Sequence, residues 1–424
     1  MSDLSAIEHR LDDFDRTVRD AAIAELADGI AAGTISVTSA RDWLNLHCHS
    51  FYSYNGYGYS PSRVVWMAKQ LGLSMVGLVD FDVLDGVDEF HAAGRALGVR
   101  TVAGLETRAY LAPFHDREIN SPGEPGITYH MGSGFASGAI PPAQLAFADS
   151  LRDGARTRNL KIVSTINAAC PAIALDYDAE VLPLTPAGVA TERHLCAAYC
   201  DKAVSLPNAA SVLGELLGTD VSSVIADPVK LQASFRSKTM KRGGLAYQQP
   251  DSDSFPHTET LNQFITALGA IPTITWLDGT SAGEQAVDEL LDLHIEQGCE
   301  ALNIIPDRNW NIADADTKAV KVAKLYQIVE QANARDLPII VGTELNAPGL
   351  KFVDDFDAPE LEPVTAAFRR GAEILFGHSV ALATSGQGYV HPETIAQFPT
   401  RAARNEHFTR LAAEHSVLPE PALT

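Results

Sequence analysis

Two histidines separated by one residue, His47 and His49, end an apolar run at residues 44–47. Alternate side chains of a β-strand point to the same face, so this spacing presents two imidazoles side by side at the end of a strand. Two neutral imidazoles are half of a typical transition-metal site, although exposed histidines also occur at strand ends without a metal. The pair predicts a metal site if further ligand-type side chains reach it.

Carboxylates follow the next two strand-like runs of the chain. Asp80 and Asp82 follow the buried run 74–79, and Glu106 follows the run 99–105. Strand and helix patterns alternate here, which is typical of parallel βα units. Because α/β folds build their sites at the carboxyl ends of parallel strands, we expect these carboxylates to lie near the histidine pair. The prediction is a divalent metal, Zn²⁺, Mn²⁺ or Fe²⁺, as one ion or two.

The elements that must position these residues can be read from the apolar pattern. Strands are predicted at 44–47, 74–79, 99–105, 271–276, 301–305, 338–342 and 374–376. Helices are predicted after most of them, among them 60–71, opened by Ser60-Pro61, and 363–373. Residues 107–139 are predicted to be a long functional loop over the site. From about 141 to 255 the alternation stops and helical patterns take over.

These patterns predict five segments. They are a helical N-terminal extension (1–42), the first part of an α/β barrel (43–140), a mostly helical insertion or cap (141–256), the second part of the barrel (257–394), and a C-terminal helix and tail (395–424). A chain of 424 residues is long enough for one large barrel with insertions or for two ordinary domains.

Composition limits the class of partner. The formal charge of −22 argues against nucleic acid, whose phosphates would be repelled, but permits a small anionic substrate held by a few local cations. No apolar run is long enough to span a membrane, and the N-terminus has no secretion signal. Five scattered cysteines suit a reducing compartment, so a cytoplasmic protein is expected. The oligomeric state is left open.

The motifs together resemble those of the polymerase and histidinol phosphatase (PHP) family. The resemblance rests on His47-Cys48-His49-Ser50, on residues 77–86 (Gly-Leu-Val-Asp-Phe-Asp-Val-Leu-Asp-Gly), on Val102-Ala103-Gly104-Leu105-Glu106, on His130 and on residues 342–346. It implies a distorted seven-stranded β/α barrel of TIM type and a metal-dependent phosphoesterase. It also implies that Glu344 is a metal ligand and that His130 lies beside the metal, as a further ligand or a catalytic group.

The chain departs from the family pattern at three positions. The histidine of the family's second motif is Phe81 here, that of its later His-Pro turn is Trp276, and the final Asp-x-His is Glu344-Leu345-Asn346. The resemblance therefore implies a reduced ligand set of His47, His49, Glu106 and Glu344 with His130 adjacent. A third metal ion is not expected.

Other polar residues are candidates for supporting roles. Asp80 is expected to orient a ligand or to act as a base. Arg108 and Arg308 could each bind an anionic group of the substrate, or each could form a salt bridge at the rim. Asn55 and Asn346 could hydrogen-bond substrate hydroxyls or order their own loops.

Three functions are compatible with the sequence. The first is a metal-dependent hydrolase of a small phosphate ester. The second is a single-metal lyase, isomerase or non-phosphate hydrolase acting on a polyhydroxylated or carboxylated molecule. The third, less favoured, is a non-catalytic metal-binding relic.

Overall fold

The computed structural model describes residues 4–422, and a single seven-stranded sheet forms its centre. The strands are β1 (Arg41–Cys48), β2 (Leu73–Phe81), β3 (Arg100–Tyr110), β4 (Ile127–Ser133), β5 (Ile271–Trp276), β6 (Ala301–Ile304) and β7 (Ile339–Val341).

The strands are ordered in the sheet as they are in the chain. Neighbours pair in parallel except β4, which runs antiparallel to both β3 and β5. The two ends of the sheet meet where Cys48 forms a parallel bridge with Glu344 and the His49 amide donates to the Glu344 carbonyl at 3.0 Å. The sheet is therefore a nearly closed seven-stranded barrel, and the predicted fold class is confirmed.

Helices surround the barrel and follow most of its strands. Their bounds are α1 (Leu4–Arg10), α2 (Arg16–Ala31), α3 (Pro61–Leu71), α4 (Val87–Leu97), α5 (Pro142–Ala169), α6 (Glu192–Val204), α7 (Ala209–Leu217), α8 (Pro228–Thr239), α9 (Thr258–Ala267), α10 (Ala282–Gln285), α11 (Val287–Glu296), α12 (Asp307–Trp310), α13 (Ala315–Ala334), α14 (Glu362–Ser385), α15 (Pro392–Gln397) and α16 (Arg401–Ala413).

Local sequence explains where α3 begins and ends. Ser60 accepts a hydrogen bond from the Arg63 amide and Pro61 is the first helical residue, which is a favourable start for a helix. Gly72 ends the helix in the left-handed conformation, as a residue without a Cβ does readily. The turn at Gly72 leads the chain directly into β2, and Asp80 lies near the end of that strand.

The helices between β4 and β5 have a hydrophobic core of their own. It includes Ile166, Leu195, Tyr199, Leu213 and Phe235, all fully buried. We refer to residues 141–256 as the helical segment. Among residues 4–422, none of the helices combines the length and the apolar composition that a bilayer crossing requires.

Two predicted elements are wrong. Residues 107–139 are not one loop, because β3 continues to Tyr110 and β4 occupies Ile127–Ser133. The predicted strand 374–376 lies inside α14, whose apolar residues are buried on several sides by the barrel and by α16. A short apolar run fits a buried helix as well as a strand, which explains the error. The seventh strand of the barrel is thus β4.

Candidate metal centre

Three ligand-type side chains converge at the carboxyl ends of β1 and β3. The Nε2 atoms of His47 and His49 lie 3.3 Å apart, and Oε2 of Glu106 lies 3.7 Å from the first and 3.4 Å from the second. All three side chains are at least 95% buried. We call this group the His–His–Glu triad. The sequence spacing of His47 and His49 predicted this convergence.

Neighbouring side chains fix the orientation of both imidazoles. Nδ1 of His47 lies 3.3 Å from Oδ1 of Asn303 on β6, and Nδ1 of His49 lies 3.3 Å from Oγ of Ser53. Ser53 in turn donates to Asp80 at 2.6 Å. Because Asn303 and Ser53 can accept from the Nδ1–H groups, the Nε2 lone pairs are left free to point at one another and at Glu106. This is the arrangement that holds metal-ligating histidines in proteins.

The spacing of these atoms fits a shared cation. Ligand atoms about 2.0 to 2.1 Å from a tetrahedral ion must lie about 3.3 Å from one another. The separations in the triad are 3.3, 3.4 and 3.7 Å. Two imidazole nitrogens and one carboxylate suit Zn²⁺, Mn²⁺ or Fe²⁺. The residues present therefore fit a divalent metal, and they leave room for a further ligand.

The charges of the triad are coupled. Burial raises the pKa of Glu106, but hydrogen bonds from His47 and His49 outweigh burial and lower that pKa to about 2. Burial lowers the pKa of His47, and Glu106 and Glu344 outweigh it, so the net shift of that pKa is upward. Glu106 thus carries a negative charge that attracts a cation, and a proton on His47 competes with that cation.

Glu344 lies near the triad but outside it. Its carboxylate is bonded to Arg308 at 2.8 Å and lies 3.4 Å from the side-chain amide of Asn346. Its charge still reaches His47, whose pKa it helps to raise. Of the four expected ligands, three therefore converge, and the carboxylate of Glu344 is paired with the guanidinium of Arg308 instead. Arg308 forms the salt bridge that was the alternative to substrate binding.

The predicted place of His130 is wrong. Its side chain packs against the outer helices, where Nε2 lies 2.6 Å from Oδ1 of Asn262 and 3.8 Å from Sγ of Cys299. His130 pairs with Thr107 in the β3–β4 ladder, one residue out of phase with Glu106, so it faces away from the triad. It is neither a ligand of that site nor a catalytic group in it.

His130, His294 and Cys299 form a second buried group of ligand type. Burial lowers the pKa of His130 to about 4, so its ring is neutral. The side-chain amide of Asn262 donates a hydrogen bond to the Gln297 carbonyl. Asn262 Oδ1 is therefore left to accept a hydrogen bond from the Nε2–H group of His130. Nε2 of His130 then has no lone pair for a metal, and its contacts are those of a histidine hydrogen-bonded between the barrel and the outer helices.

Asp80 has the contacts of an orienting residue. It accepts from the Ser50 amide at 2.8 Å, from the Ser50 hydroxyl at 2.7 Å and from the Ser53 hydroxyl at 2.6 Å. Burial raises its pKa, although these hydrogen bonds oppose the shift. The side chain is buried and its oxygens are occupied, so of the two predicted roles the structure provides the orienter through Ser53 and not the base.

Asn55 orders its own loop. Its side-chain amide donates to the carbonyls of His49 and Leu345, both at 2.9 Å, and its oxygen accepts from the Tyr57 amide at 2.9 Å. These bonds occupy its polar atoms, and they are the contacts expected of the loop-ordering alternative.

Phe81 and Trp276, for which the resemblance implies imidazoles, are the last residues of β2 and β5. Phe81 stacks on the His49 ring with centroids 4.6 Å apart. Trp276 is 1% exposed, and its Nε1 has no hydrogen-bond partner among the described residues. Neither side chain can ligate a metal, so this end of the barrel offers one triad.

A cavity of about 310 Å³ lies between the barrel mouth and the helical segment, next to side chains that contact His49 and Glu344. Phe81, which stacks on His49, and Asn346, which contacts Glu344, both line it. Arg108 also lines it and is paired with Glu124 at 3.0 Å. The predicted substrate-binding residues Arg108 and Asn346 are therefore at a cavity, and Asn55 is not.

Sequence reasoning missed two groups of residues. Asn303 interrupts the apolar run Ala-Leu-Asn-Ile of β6, and a buried amide in such a run is a usable signal. The arginines that the helical segment brings to the cavity, Arg158 and Arg193, had no such signal. Which face of these helices meets the barrel depends on tertiary packing.

No family model matches the chain. A stretch of 64 residues, 15% of the chain, is 41% identical to an error-prone DNA polymerase of Cutibacterium acnes, and 74 residues, 18% of the chain, are 39% identical to an error-prone DNA polymerase of Mycobacterium tuberculosis. The chain spans 6% and 7% of the length of these relatives.

Solved structures match most of the chain, and one of them is similar enough to compare the fold. It is an amidohydrolase from Chromobacterium violaceum with bound sulfate and no metal, 18% identical, with a TM-score of 0.51 over 77% of this chain and 96% of that one. The likeness establishes a shared fold. Together with the partial sequence matches, it confirms the predicted resemblance to the PHP family at the level of the barrel.

Proposed function

From a PHP-like barrel with a His–His–Glu triad at its mouth, we propose that the chain is a metal-dependent hydrolase of a small phosphate ester. The observation that carries the proposal is the convergence of His47 Nε2, His49 Nε2 and Glu106 Oε2 beside a cavity lined by cationic side chains. We propose a small anionic molecule and not nucleic acid as the partner, and the cytoplasm as the location.

Each residue of the site has a separate task. His47, His49 and Glu106 would hold the ion, while Asn303, Ser53 and Asp80 keep the two imidazoles in the ligating tautomer. A divalent ion in such a site supplies Lewis-acid activation of water and stabilises the negative charge that develops on a phosphoryl group.

Arginines around the site would orient the substrate. Arg308 is 44% exposed and bound to Glu344, so one side of its guanidinium faces solvent at the mouth. An arginine positioned in this way can bind two phosphoryl oxygens at once. Arg108 stands in the adjoining cavity and stacks on Phe255, 4.2 Å from the ring centroid.

The sulfate in the Chromobacterium violaceum amidohydrolase supports an anionic ligand for this barrel. Sulfate and phosphate have the same shape and similar charge, so the sulfate bound to that protein is compatible with a phosphoryl group as the ligand. The cationic cavity of this acidic chain supports the same ligand class.

A specific observation favours a second candidate. Phe81 and Trp276 replace two imidazoles, which leaves one triad where phosphoesterases of the family are expected to use two or three metals. A single metal can also run a lyase, an isomerase or a non-phosphate hydrolase reaction on a carboxylated or polyhydroxylated molecule. A relic without activity is disfavoured, because the residues that orient the imidazoles are all in place.

The test is a panel of sugar phosphates, nucleotides and carboxylated esters, assayed for phosphate and for carbonyl or acid products after loading with Zn²⁺, Mn²⁺ or Fe²⁺. We expect phosphate release that depends on metal and is absent in His49→Ala. Turnover of carboxylated compounds without phosphate release would support the second candidate. Full metal occupancy with no turnover in either panel would contradict both.

A further inference from the structure

The cavity beside the triad is strongly cationic in an acidic protein. Six cationic and three acidic side chains line it, whereas the whole chain has a formal charge of −22. The cationic ones are Arg108, Arg158, Arg193, Arg236, Lys241 and Arg242. The local excess of positive charge lies where the helical segment faces the barrel mouth.

Four of these cations have carboxylate partners. Arg108 is paired with Glu124 at 3.0 Å, Arg236 and Lys241 share Glu192, the latter at 2.9 Å, and Arg242 reaches Glu118 at 3.5 Å. These pairs hold the cavity wall in place. Their charges are largely compensated within the protein.

Arg158 and Arg193 are different, because neither forms an ion pair within the described part of the chain. The guanidinium of Arg158 lies 4.6 Å from the centroid of Phe255, and that of Arg193 lies 5.6 Å from the centroid of Tyr54. The one hydrogen bond of Arg158 is a 3.4 Å contact to the Ser254 carbonyl. Aromatic faces position both groups and leave most of their donors without a partner among the described residues. The acids that act on them, Asp82 on Arg158 and Glu192 on Arg193, form no ion pair with them.

The surroundings make these charges unfavourable without a ligand. Burial lowers the pKa of Arg158 to about 10, and burial together with the nearby Arg236 lowers the pKa of Arg193. Partly buried cations without a partner destabilise the fold, and a bound anion would remove that penalty. A planar guanidinium with free donors is well suited to the oxygens of a phosphate or carboxylate.

We propose that the part of the cavity lined by Arg158 and Arg193 is an anion-binding subsite, which takes a second anionic group of the substrate while the reacting group lies at the His–His–Glu triad. The role of this subsite in substrate binding rests on the proposed function, but the binding of an anion at the two arginines does not. The substrate class is then a small molecule with two separated anionic groups. Its second group is a phosphate or a carboxylate, and a cavity of about 310 Å³ limits its size.

The binding test uses the full chain stripped of metal with a chelator, titrated calorimetrically with inorganic phosphate and, separately, with malonate. We expect Arg158→Gln and Arg193→Gln each to weaken binding of at least one anion by roughly tenfold or more, which corresponds to the loss of a charge-assisted hydrogen bond. The anion that binds more tightly identifies the second group. Arg156→Gln is the matched control, since Arg156 lies on the same helix and is paired with Asp178 outside the cavity.

Thermal unfolding separates a binding role from a structural one. Because Arg158 and Arg193 form no ion pair within the described part of the chain, their glutamine variants should melt close to the wild-type temperature, and added phosphate should raise Tm less than in the wild type. Arg158→Lys should retain part of the binding. Unchanged phosphate and malonate affinity in both glutamine variants, or an equal loss in Arg156→Gln, would overturn the subsite.

Kinetics then connects the subsite to catalysis. With metal restored, Arg158→Gln should lose kcat/KM selectively for substrates with two anionic groups and little for simple monoesters. If no compound is turned over, the proposed function fails, while the calorimetric result still decides on the subsite. If turnover occurs but the variants bind and discriminate like the wild type, the subsite fails and the function stands.

Discussion

The carboxylate of Glu344 accepts a hydrogen bond from the guanidinium of Arg308 at 2.8 Å, while the backbone carbonyl of Glu344 accepts one from the His49 amide at 3.0 Å. Glu344 and the next residue, Leu345, both have positive φ, 64° and 45°, which is unusual for residues with a Cβ. The barrel closure at Cys48 holds this conformation. A carboxylate is thereby kept at the edge of the triad, neutralised by a cation.

Removal of that cation should strengthen metal binding. In Arg308→Gln, Glu344 loses its partner and the repulsion between the guanidinium and a divalent ion disappears, so we expect metal affinity to rise roughly tenfold. Metal affinity is measured by competition with a chromophoric chelator. The double variant Arg308→Gln/Glu344→Gln should show less of the gain if Glu344 carries it. Weaker metal binding in Arg308→Gln would contradict this account.

The hydrogen bond from His47 to Asn303 should matter for metal affinity more than for folding. Asn303→Ala removes the acceptor that fixes the His47 tautomer, and losses of about 10- to 100-fold in metal affinity are typical of such changes. Asn303→Asp keeps an acceptor oxygen at the same place, so it should bind metal at least as tightly as the alanine variant. Equal affinities in wild type and Asn303→Ala would show that the tautomer is set elsewhere.

His49 should be indispensable to the site. His49→Ala removes one of three ligands and the link to Ser53, so we expect loss of bound metal and of any activity. Cys200→Ala is the control, because Cys200 is buried in the core of the helical segment. Elemental analysis per chain gives the stoichiometry. A full metal complement in His49→Ala would place the metal outside the triad.

The barrel and the histidine pair could be predicted because both depend on local pattern. A His-x-His pair at a strand end has one geometry, and alternating strands and helices have few ways to pack. The position of Glu106 could be predicted in the same way, because β3 lies beside β2 and runs parallel to it. These patterns lie within single strands and helices, so they do not depend on how the helices pack around the barrel.

The sequence predictions failed where the position of one strand or helix depends on how it packs against another. β4 was missed because it enters antiparallel after a long connection and breaks the alternation of strand and helix. His130 was placed at the metal by resemblance, but the register of β4 turns it to the opposite face. Arg158 and Arg193 reach the cavity only through tertiary packing of the helical segment, which the sequence pattern does not encode.

A buried acid outside the triad should give the stability of the protein a distinct pH dependence. Asp354 is 2% exposed and accepts one hydrogen bond, from Nε1 of Trp310 at 2.9 Å. Burial raises its pKa to about 7, although that hydrogen bond opposes the shift. Its unfolded pKa is near 3.8, so the folded state binds the proton more tightly. The resulting stabilisation is full below the unfolded pKa and is lost as the pH rises through about 7.

Asp354→Asn removes this titration and keeps an acceptor for Trp310. We expect the variant to gain on the order of 2 kcal/mol in the free energy of unfolding, relative to the wild type, between pH 5 and pH 8. Urea denaturation at the two pH values measures the difference. Asp357→Asn, at an exposed position nearby, should show no such trend. If the difference between Asp354→Asn and wild type is the same at both pH values, Asp354 is ionised throughout and its charge is compensated within the fold.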